Sequence, residues 1–446
     1  MTADALGLVA LNALWLAAGL GVTGAAGWWR GRGAIASIGI SYLVGVAAYG
    51  VLAQLLFVLG LSLGPLEIAV VCAVLAAGTL AQRGPDRRLP PPGLVAGLVV
   101  AALVVLAVDL WFQPLWAYDA WTFWTPKAHA LAAFHGLDPQ WFSQPTLANR
   151  DYPILFPAIE AAGFRFTGYE TALLDLQSLV FAVALLLAFA EIVVPRAPRW
   201  ASVVPVLVVL SPSLADQLAS AEADVPLAAF FAGAAAAAFL WWKDRDRSAL
   251  VVFGVLCAGV AATKAEGAPF VVALTVPFAV ALLRSSRTAA VALALVGGAA
   301  IAIGVLPWRL WSDHHGIPQQ ASLGRLTRES LFHARADRVP IAARYLLERL
   351  VDPRAWLLLV PLLAVLTALA WFRGHRAAAA LTGCVVLLCF ASLLLAYWTS
   401  QFEIHYHLAT SARRVITGPI LAWAFLIPLA FGPNDVFRDP LYPQES

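Results

Sequence analysis

The amino-acid sequence predicts an all-α, polytopic membrane protein with about thirteen transmembrane helices. Apolar residues make up 61% of the 446 residues, against roughly 45–50% in an average globular protein. Charged residues make up only 12%, about half of the usual ~25%. So few charges cannot cover the surface of a soluble protein of this length, whereas the hydrocarbon core of a bilayer requires no such cover.

The composition also excludes other classes of protein. A net charge of +3 over this length leaves no basic patch for nucleic acid. We interpret the four cysteines as small buried hydrophobic residues, because each lies inside an apolar run. No positive region precedes the first apolar run, so we expect a retained helix there and not a cleaved signal peptide.

Each predicted span is an apolar run that ends at charged residues or at Pro and Gly. A run of about 20 apolar residues crosses the ~30 Å hydrocarbon core. The predicted spans are 5–26, 35–60, 64–82, 93–113, 171–194, 201–215, 225–242, 248–263, 268–283, 288–308, 355–371, 377–398 and 416–431. They give a four-helix membrane segment (1–113), an outer loop with interfacial helices (114–170), the remaining bundle (171–431) and a cytoplasmic tail (432–446).

The orientation follows from Lys and Arg residues in alternate short loops, which mark the cytoplasmic side. These residues are Arg30, Arg32, Arg83, Arg87, Arg88, Arg196, Arg199, Lys243, Arg245, Arg247, Arg284, Arg287, Arg373 and Arg376. The N-terminus is then outside and the C-terminus inside. Acidic residues are concentrated near the outer side, in the 114–170 segment and in the outer loops 216–224, 309–354 and 399–415, so functional chemistry is expected there.

An acidic residue surrounded by aromatic rings opens the 114–170 segment. Asp119 follows the fourth span and is flanked by Tyr118, Trp121 and Trp124. Aromatic rings belong at the boundary between headgroups and water, but they also stack on the faces of sugars. Both interpretations stay open for these rings.

A short helix is expected after this cluster, with Thr125 as N-cap, Pro126 as first residue and Gly136 at its end. Lys127 lies in its first turn, where its ammonium group could bind a lipid phosphate or extend toward bulk headgroups. A charged pair and Tyr152 then lead into a Pro-punctuated apolar segment, which suggests a re-entrant or interfacial helix.

Three further outer segments carry polar residues. Asp224 precedes Val-Pro and is a plausible N-cap, which leaves Glu222 unexplained. Lys264 and Glu266 form either a solvated turn or part of a site. His407, Ser411 and Arg414 share one helical face by i, i+4, i+7 spacing, next to Arg413, and an ordinary polar helix start explains them equally well.

The distribution of charge favours an enzyme over a transporter. Transporters usually hold ionisable residues near the bilayer midplane, and the predicted mid-helix positions are nearly free of charge. Carboxylates and cations at the outer boundary suit a lipid-linked substrate whose head faces outward. A carboxylate can take a proton from an attacking hydroxyl, and cations can stabilise a departing phosphate.

Five segments resemble motifs of the GT-C superfamily of membrane glycosyltransferases, specifically the bacterial protein-mannosyltransferase-like branch that uses polyprenyl-phosphate sugars. They are YDAWTFWTPKA (118–128), DYPILFP (151–157), SP (211–212) with EADVPLAAF (222–230), GVAATKAEG (259–267) and YHLATSARR (406–414). The chain departs from the family in two ways. The family's catalytic loop commonly follows the first span and here follows the fourth, and Asp119 lacks the adjacent acid that many members have.

The resemblance implies a GT-C-like fold and inverting transfer from a polyprenyl-phosphate sugar to a lipid, glycan or protein acceptor, outside a bacterial inner membrane. It implies that Asp119 is the general base or an acid that orients the acceptor, and that Glu222 and Asp224 form a second acidic site. The expected phosphate ligands are Lys127, Lys264, Arg413 and Arg414. The expected sugar contacts are Tyr118, Trp121, Trp124, Tyr152, Glu266 and His407.

Several alternatives stay open at this point. A divalent cation is one of them, because GT-C branches differ in metal dependence and no ligand set in the sequence has a diagnostic spacing. A polymerase or ligase of lipid-linked glycans is the nearest alternative enzyme. A transporter of lipid or solute and a non-catalytic assembly subunit are the alternatives from other classes.

Overall fold

The computed structural model describes residues 2–30, 37–81, 94–169, 171–198, 200–317 and 335–432, and over these residues the chain is helical without strands. The α-helices are α1 (Thr2–Ala26), α2 (Ile38–Val58), α3 (Pro65–Ala76), α4 (Leu94–Phe112), α5 (Thr125–Ala133), α6 (Pro139–Phe142), α7 (Leu155–Thr167), α8 (Ala172–Ile192), α9 (Val204–Val209), α10 (Pro212–Leu218), α11 (Asp224–Asp244), α12 (Arg247–Thr263), α13 (Gly267–Leu283), α14 (Arg287–His314), α15 (Arg338–Leu350), α16 (Pro353–Trp356), α17 (Leu359–Phe372), α18 (Arg376–Thr399), α19 (Ile404–Val415) and α20 (Thr417–Ala430). A π-helix (Ala120–Trp124) precedes α5, and 3₁₀ turns lie at Ala77–Ala81 and Ala201–Val203.

Seven segments of the described chain are long and apolar enough to cross a membrane. They are Asp4–Ala26, Ile38–Val58, Leu173–Ile192, Asp224–Asp244, Arg287–His314, Arg376–Thr399 and Ile404–Ala430. Shorter apolar helices are Pro65–Leu80, Gly97–Phe112, Arg247–Thr263, Gly267–Leu283 and Leu359–Phe372. The predicted all-α architecture with several membrane-spanning helices is therefore confirmed, whereas the number of thirteen stays a prediction.

The sixth predicted span, 201–215, is not one helix. It consists of a 3₁₀ turn, α9 and α10, and α10 continues to Leu218. The break lies at Ser211, whose backbone is extended (φ −68°, ψ 151°). Pro212 causes the break, because a proline disfavours helical backbone in the residue before it and has no N–H to continue the preceding helix.

Helix α11 forms the centre of the bundle, and almost all of its residues are buried. It packs against α12, α13, α8 and α20. Its middle is a run of alanines around Gly233, where an added Cβ would lie 2.9 Å from Leu256 Cδ1. Small residues let neighbouring helices approach closely when lipid surrounds them, and the same device lets α1 cross α2 at Gly19.

Segments that were predicted to share a side meet at the same end of the bundle. At the predicted cytoplasmic end, Trp28 Nε1 donates to Glu191 Oε1 at 2.6 Å, and Trp241 Nε1 donates to the carbonyl oxygen of Ala289 at 3.2 Å. At the opposite end, Trp308 Nε1 donates to the carbonyl oxygen of Asp151 at 2.9 Å. This opposite end holds the candidate site, and we call it the outer end because the sequence predicts that it faces outward.

The predicted outer loop 309–354 is partly helical. Helix α14 continues to His314, and α15 is amphipathic, with Leu346 buried and Arg344 exposed. Residues 318–334 of the loop and 433–446 of the predicted tail lie outside the described residues.

Candidate functional site

Charged side chains from four separate segments meet at the outer end. We call them the ionic cluster, and its members are Asp119, Glu222, Asp224, Lys264, Glu266 and Arg414. All six were expected site residues, and the sequence distance between the first and the last is 295 residues. The fold therefore brings together residues that the sequence could only assign to one side of the membrane.

Arg414 lies at the centre of the ionic cluster. Its Nη2 is 2.6 Å from Asp119 Oδ2, and its Nη1 contacts Glu222 Oε1 and lies 3.7 Å from Asp224 Oδ2. The side chain is only 17% exposed. A guanidinium group has five donors in a planar fork and can therefore serve several oxygens at once, whether these belong to carboxylates or to a phosphate.

The ionic cluster contains a buried ion pair between Lys264 and Asp224. Lys264 Nζ lies 2.8 Å from Asp224 Oδ1 and 4.0 Å from Glu266 Oε1. Helix α12 ends at Thr263, and the extended backbone of Lys264 (φ −147°, ψ 165°) separates it from α13. Burial lowers the pKa of Lys264, but the two carboxylates more than offset this effect and the pKa is raised overall. The interpretation as a solvated turn is therefore wrong for Lys264.

A tight turn between α10 and α11 positions Glu222 and Asp224, the expected second acidic site. Ala221 has a positive φ of 47°, a left-handed conformation that is unfavourable for a residue with a Cβ. The next residue, Glu222, is buried, and burial is the main reason that its pKa is raised to about 7. Arg414 opposes this shift, and Asp224 and Asp119 add to it. Asp224 is the first residue of α11 and not its N-cap, and its carboxylate pairs with Lys264.

The cluster contains four carboxylates and two cations, so it carries an excess of negative charge when all groups are ionised. A proton on Glu222 near neutral pH reduces this excess. A metal ion would reduce it as well, but no group of three or more His, Cys, Asp or Glu residues in the described part of the chain is placed to hold one. The expectation left open for a divalent cation thus finds no ligand set there.

Asp119 is held at the start of a π-helix. Its backbone is already helical (φ −67°, ψ −34°), and the π-helix runs without interruption into α5. The predicted N-cap at Thr125 is therefore wrong, and its Oγ1 is buried without a hydrogen-bond partner. At the other end of α5 the left-handed residue is His135 (φ 59°) and not Gly136. Single π-turns occur frequently at functional sites.

The expected sugar contacts fall into two groups. Tyr118 and Trp121 are 68% and 61% exposed and present free ring faces beside Asp119. Trp124 is only 1% exposed, because it packs against Phe123 and Tyr152 at centroid distances of 4.5 and 5.9 Å. Trp124 is thus part of the core, whereas Tyr118 and Trp121 are open to a ligand.

Lys127 is buried with no exposed surface. Its Nζ donates to the carbonyl oxygens of Asn149, Tyr152 and Arg150 at 2.7, 3.2 and 3.3 Å. Burial lowers its pKa to about 7, although the charge of Asp151 acts in the opposite direction. Lys127 does not extend to the headgroups. It ties α5 to the loop at 149–152, and a phosphate would have to displace these carbonyl groups.

Helix α19 brings its polar face to the cluster. The ring of His407 packs against Tyr397 at 4.8 Å, and Tyr397 Oη lies 2.9 Å from Ser411 Oγ. Arg413 points elsewhere and pairs with Asp216 at 2.9 Å, where both side chains are well exposed. Tyr397 and Asp216 were not among the expected site residues, although each is a polar residue at the outer end of an apolar span, and this pattern could have indicated both.

An open groove lies between the end of α4 and α5. It has a volume of about 910 Å³, and its lining includes Leu115, Trp121, His129, Trp141 and Tyr169. Ligand sites typically measure about 300–1,000 Å³ and are mostly apolar with a few polar groups. Trp121, two residues after Asp119, contributes to the lining, whereas the members of the ionic cluster do not.

No protein-family model, curated protein or solved structure matches the chain.

Proposed function

We propose that the chain is an integral membrane glycosyltransferase that moves a sugar from a polyprenyl-phosphate donor to an acceptor on the outer side of a bacterial inner membrane. The observation that carries the proposal is the contact of Asp119 with Arg414 beside open aromatic rings. About thirteen spans, with the N-terminus outside, complete the proposed topology. The resemblance to GT-C enzymes in the sequence motifs points in the same direction.

In the proposed reaction Asp119 acts as general base. Its carboxylate takes the proton of the acceptor hydroxyl, whose oxygen forms a bond to the anomeric carbon of the sugar. The bond from that carbon to the phosphate oxygen breaks, and the electron pair leaves with the polyprenyl phosphate. A single displacement of this kind inverts the anomeric configuration. The side chain of Asp119 is 26% exposed, so an acceptor can reach it.

Arg414 and Lys264 supply positive charge for the departing phosphate. Without substrate, Arg414 is engaged by Asp119, Glu222 and Asp224. A donor phosphate competes with these carboxylates and frees Asp119 for the acceptor. The raised pKa of Glu222 assists the exchange, because a protonated Glu222 holds Arg414 less strongly.

The remaining parts of the site serve recognition in this proposal. Tyr118 and Trp121 stack on the sugar, since both present exposed ring faces. The groove accepts apolar parts of the substrates, because its lining is mostly apolar and includes Leu115 and Trp141. Glu266 and His407 lie deeper and orient the sugar hydroxyls.

The test uses the purified full chain in proteoliposomes with radiolabelled polyprenyl-phosphate hexoses and pentoses. Asp119→Asn is expected to lower transfer at least about 100-fold, the usual contribution of a general base, while native mass spectrometry still detects bound donor. Asp313→Asn is the matched control, because it makes the same change in an exposed pair with Arg309 (3.3 Å). Full activity of Asp119→Asn would remove Asp119 from the role of base.

The same preparation separates the alternatives. Products that carry several sugars per acceptor would indicate a polymerase or ligase of lipid-linked glycans. Failure of the wild-type protein to bind any polyprenyl phosphate, even in excess, would overturn the transferase proposal. The transporter and the assembly subunit would then be tested next.

A further inference from the structure

A small cavity lies between α1, α7 and α8, away from the ionic cluster. Its volume is about 20 Å³. Its lining includes the polar side chains of Trp15, Glu160, Thr167, Gln177 and Ser178. A buried water needs about 10–15 Å³ of such volume and two to four polar partners, so the cavity has room for one.

Two polar groups in the lining have no partner among the described residues. Glu160 is only 4% exposed, and neither of its carboxylate oxygens accepts a hydrogen bond. Trp15 is fully buried, and its Nε1–H donates to no acceptor. An unpartnered acceptor and an unpartnered donor thus line the same small cavity.

A second acid lies near Glu160. Asp175, in the first turn of α8, is fully buried, and both of its carboxylate oxygens are unpartnered as well. Burial raises the pKa of Glu160 well above its usual range, and the charge of Asp175 raises it further. Arg165, on the same helix as Glu160, forms no ion pair with either acid in the described part of the chain.

The other helices that pack against α7 provide no counter-charge to Glu160. Helix α2 has no charged residue, and Lys127 of α5 is bound to the carbonyl groups of the loop. The charged residues of the remaining helices lie in their first turns, namely Asp4 in α1, Glu67 in α3 and Arg247 in α12. None of them acts on the pKa of Glu160. Asp175 is the charged group that acts on Glu160.

We propose that Glu160, with Asp175 beside it, is a proton-binding site and that its cavity holds one ordered water. An unpaired buried carboxylate is so unfavourable that the group takes up a proton instead. A water can accept the hydrogen bond of Trp15 and bond to the carboxyl group of Glu160 at the same time. A metal cation would not suit the cavity, because the indole N–H can only donate. This inference does not depend on the proposed transferase activity.

The test is infrared difference spectroscopy of the full chain in nanodiscs across a pH titration. The wild-type protein is expected to show a protonated-carboxyl C=O band at neutral pH that is absent from Glu160→Gln. Glu348→Gln is the matched control, since Glu348 is exposed on α15, and it should retain the band. Asp175→Asn removes the repelling charge, so the midpoint of the Glu160 band should move to lower pH.

Thermal unfolding provides an independent measurement. The pKa of Glu160 is higher in the folded state than in the unfolded state (about 4.3). The stabilisation from its proton is therefore complete below the unfolded value and is lost as the pH rises through the folded value. Glu160→Gln cannot lose a proton, so its unfolding temperature should rise relative to wild type with increasing pH.

Some results would overturn the proposal. The absence of any carboxyl band that depends on Glu160, or a stability difference that is constant with pH, would show that Glu160 is ionised in the folded protein. A band midpoint that is unchanged in Asp175→Asn would show that Asp175 does not influence the protonation of Glu160 and is not part of the site. An empty cavity in a high-resolution cryo-EM map would remove the water.

Discussion

The acids of the ionic cluster have cations as partners, whereas the acids at the small cavity between α1, α7 and α8 do not, in the described part of the chain. In the cluster, Asp119, Glu222 and Asp224 contact cations from other segments. Glu160 lines the cavity and Asp175 lies near it, and the carboxylate oxygens of both accept no hydrogen bond among the described residues. The comparison teaches that a charge balanced by a movable side chain can be exchanged for a charged ligand, whereas an acid without a partner can only be neutralised by a proton.

The largest loss of unfolding free energy is expected when a buried acid of the ionic cluster loses its cation and so becomes unpaired, as Glu160 is. Lys264→Met leaves Asp224 without its 2.8 Å partner. Removal of one member of a buried ion pair typically costs about 3–5 kcal/mol, and the lower end is expected because Arg414 remains 3.7 Å from Asp224. Unfolding titrations in mixed micelles measure the loss.

A double variant provides the control for this prediction. Lys264→Met combined with Asp224→Leu removes both charges and should recover most of the lost free energy of unfolding. A single variant that loses less than about 1 kcal/mol, the range of exposed pairs, would mean that the paired charges of the cluster do not stabilise the fold.

An intermediate effect is expected for Lys127, whose partners are backbone groups. Lys127→Met leaves three carbonyl oxygens without their donor, and an unsatisfied buried group costs about 1–3 kcal/mol. Faster hydrogen exchange at 149–152 should accompany the lower free energy of unfolding. An unchanged exchange rate combined with a raised KM for the donor would instead support the phosphate-binding role that the resemblance implied.

The smallest effect is expected at the rim of the cluster. Arg413→Gln breaks an exposed ion pair with Asp216, and such pairs contribute less than about 1 kcal/mol. Donor binding in native mass spectrometry should be unchanged in this variant and lost in the adjacent Arg414→Gln. Equal losses in both variants would show that the two arginines share the phosphate, against the structural distinction between them.

Hydropathy could predict the all-α architecture with several membrane-spanning helices, because it depends on residue type alone. The orientation that the distribution of Lys and Arg indicates stays a prediction. The interruption at Pro212 was the exception to the prediction from hydropathy. Both halves of that run are apolar, and only the geometry of proline divides them. The number of spans depends on how such short helices lie in the bilayer, which composition does not determine.

The candidate site was predictable as a set, but not in its internal arrangement. Alternation of loops placed Asp119, Lys264 and Arg414 on one side. This agrees with the structure, in which Arg414 contacts Asp119 and both cations lie near Asp224. The roles of Lys127 and Arg413 could not be read from the sequence, because both depend on the direction of a side chain. Glu160 could have been noticed as a single acid within an apolar segment. An ionisable residue in such a segment is energetically unfavourable and usually has a functional role.

Helices α19 and α20 follow each other with only Ile416 between them. Helix α19 is polar and carries Arg413 and Arg414, so the apolar part of this segment is α20, whose 14 residues are about 21 Å long at 1.5 Å per residue. This length is shorter than the ~30 Å hydrocarbon thickness, and an apolar helix that is too short for its bilayer thins the bilayer locally or extends its flanking residues toward the interface. Because Arg414 lies just before α20, a thicker bilayer would hold the ionic cluster closer to the hydrocarbon core.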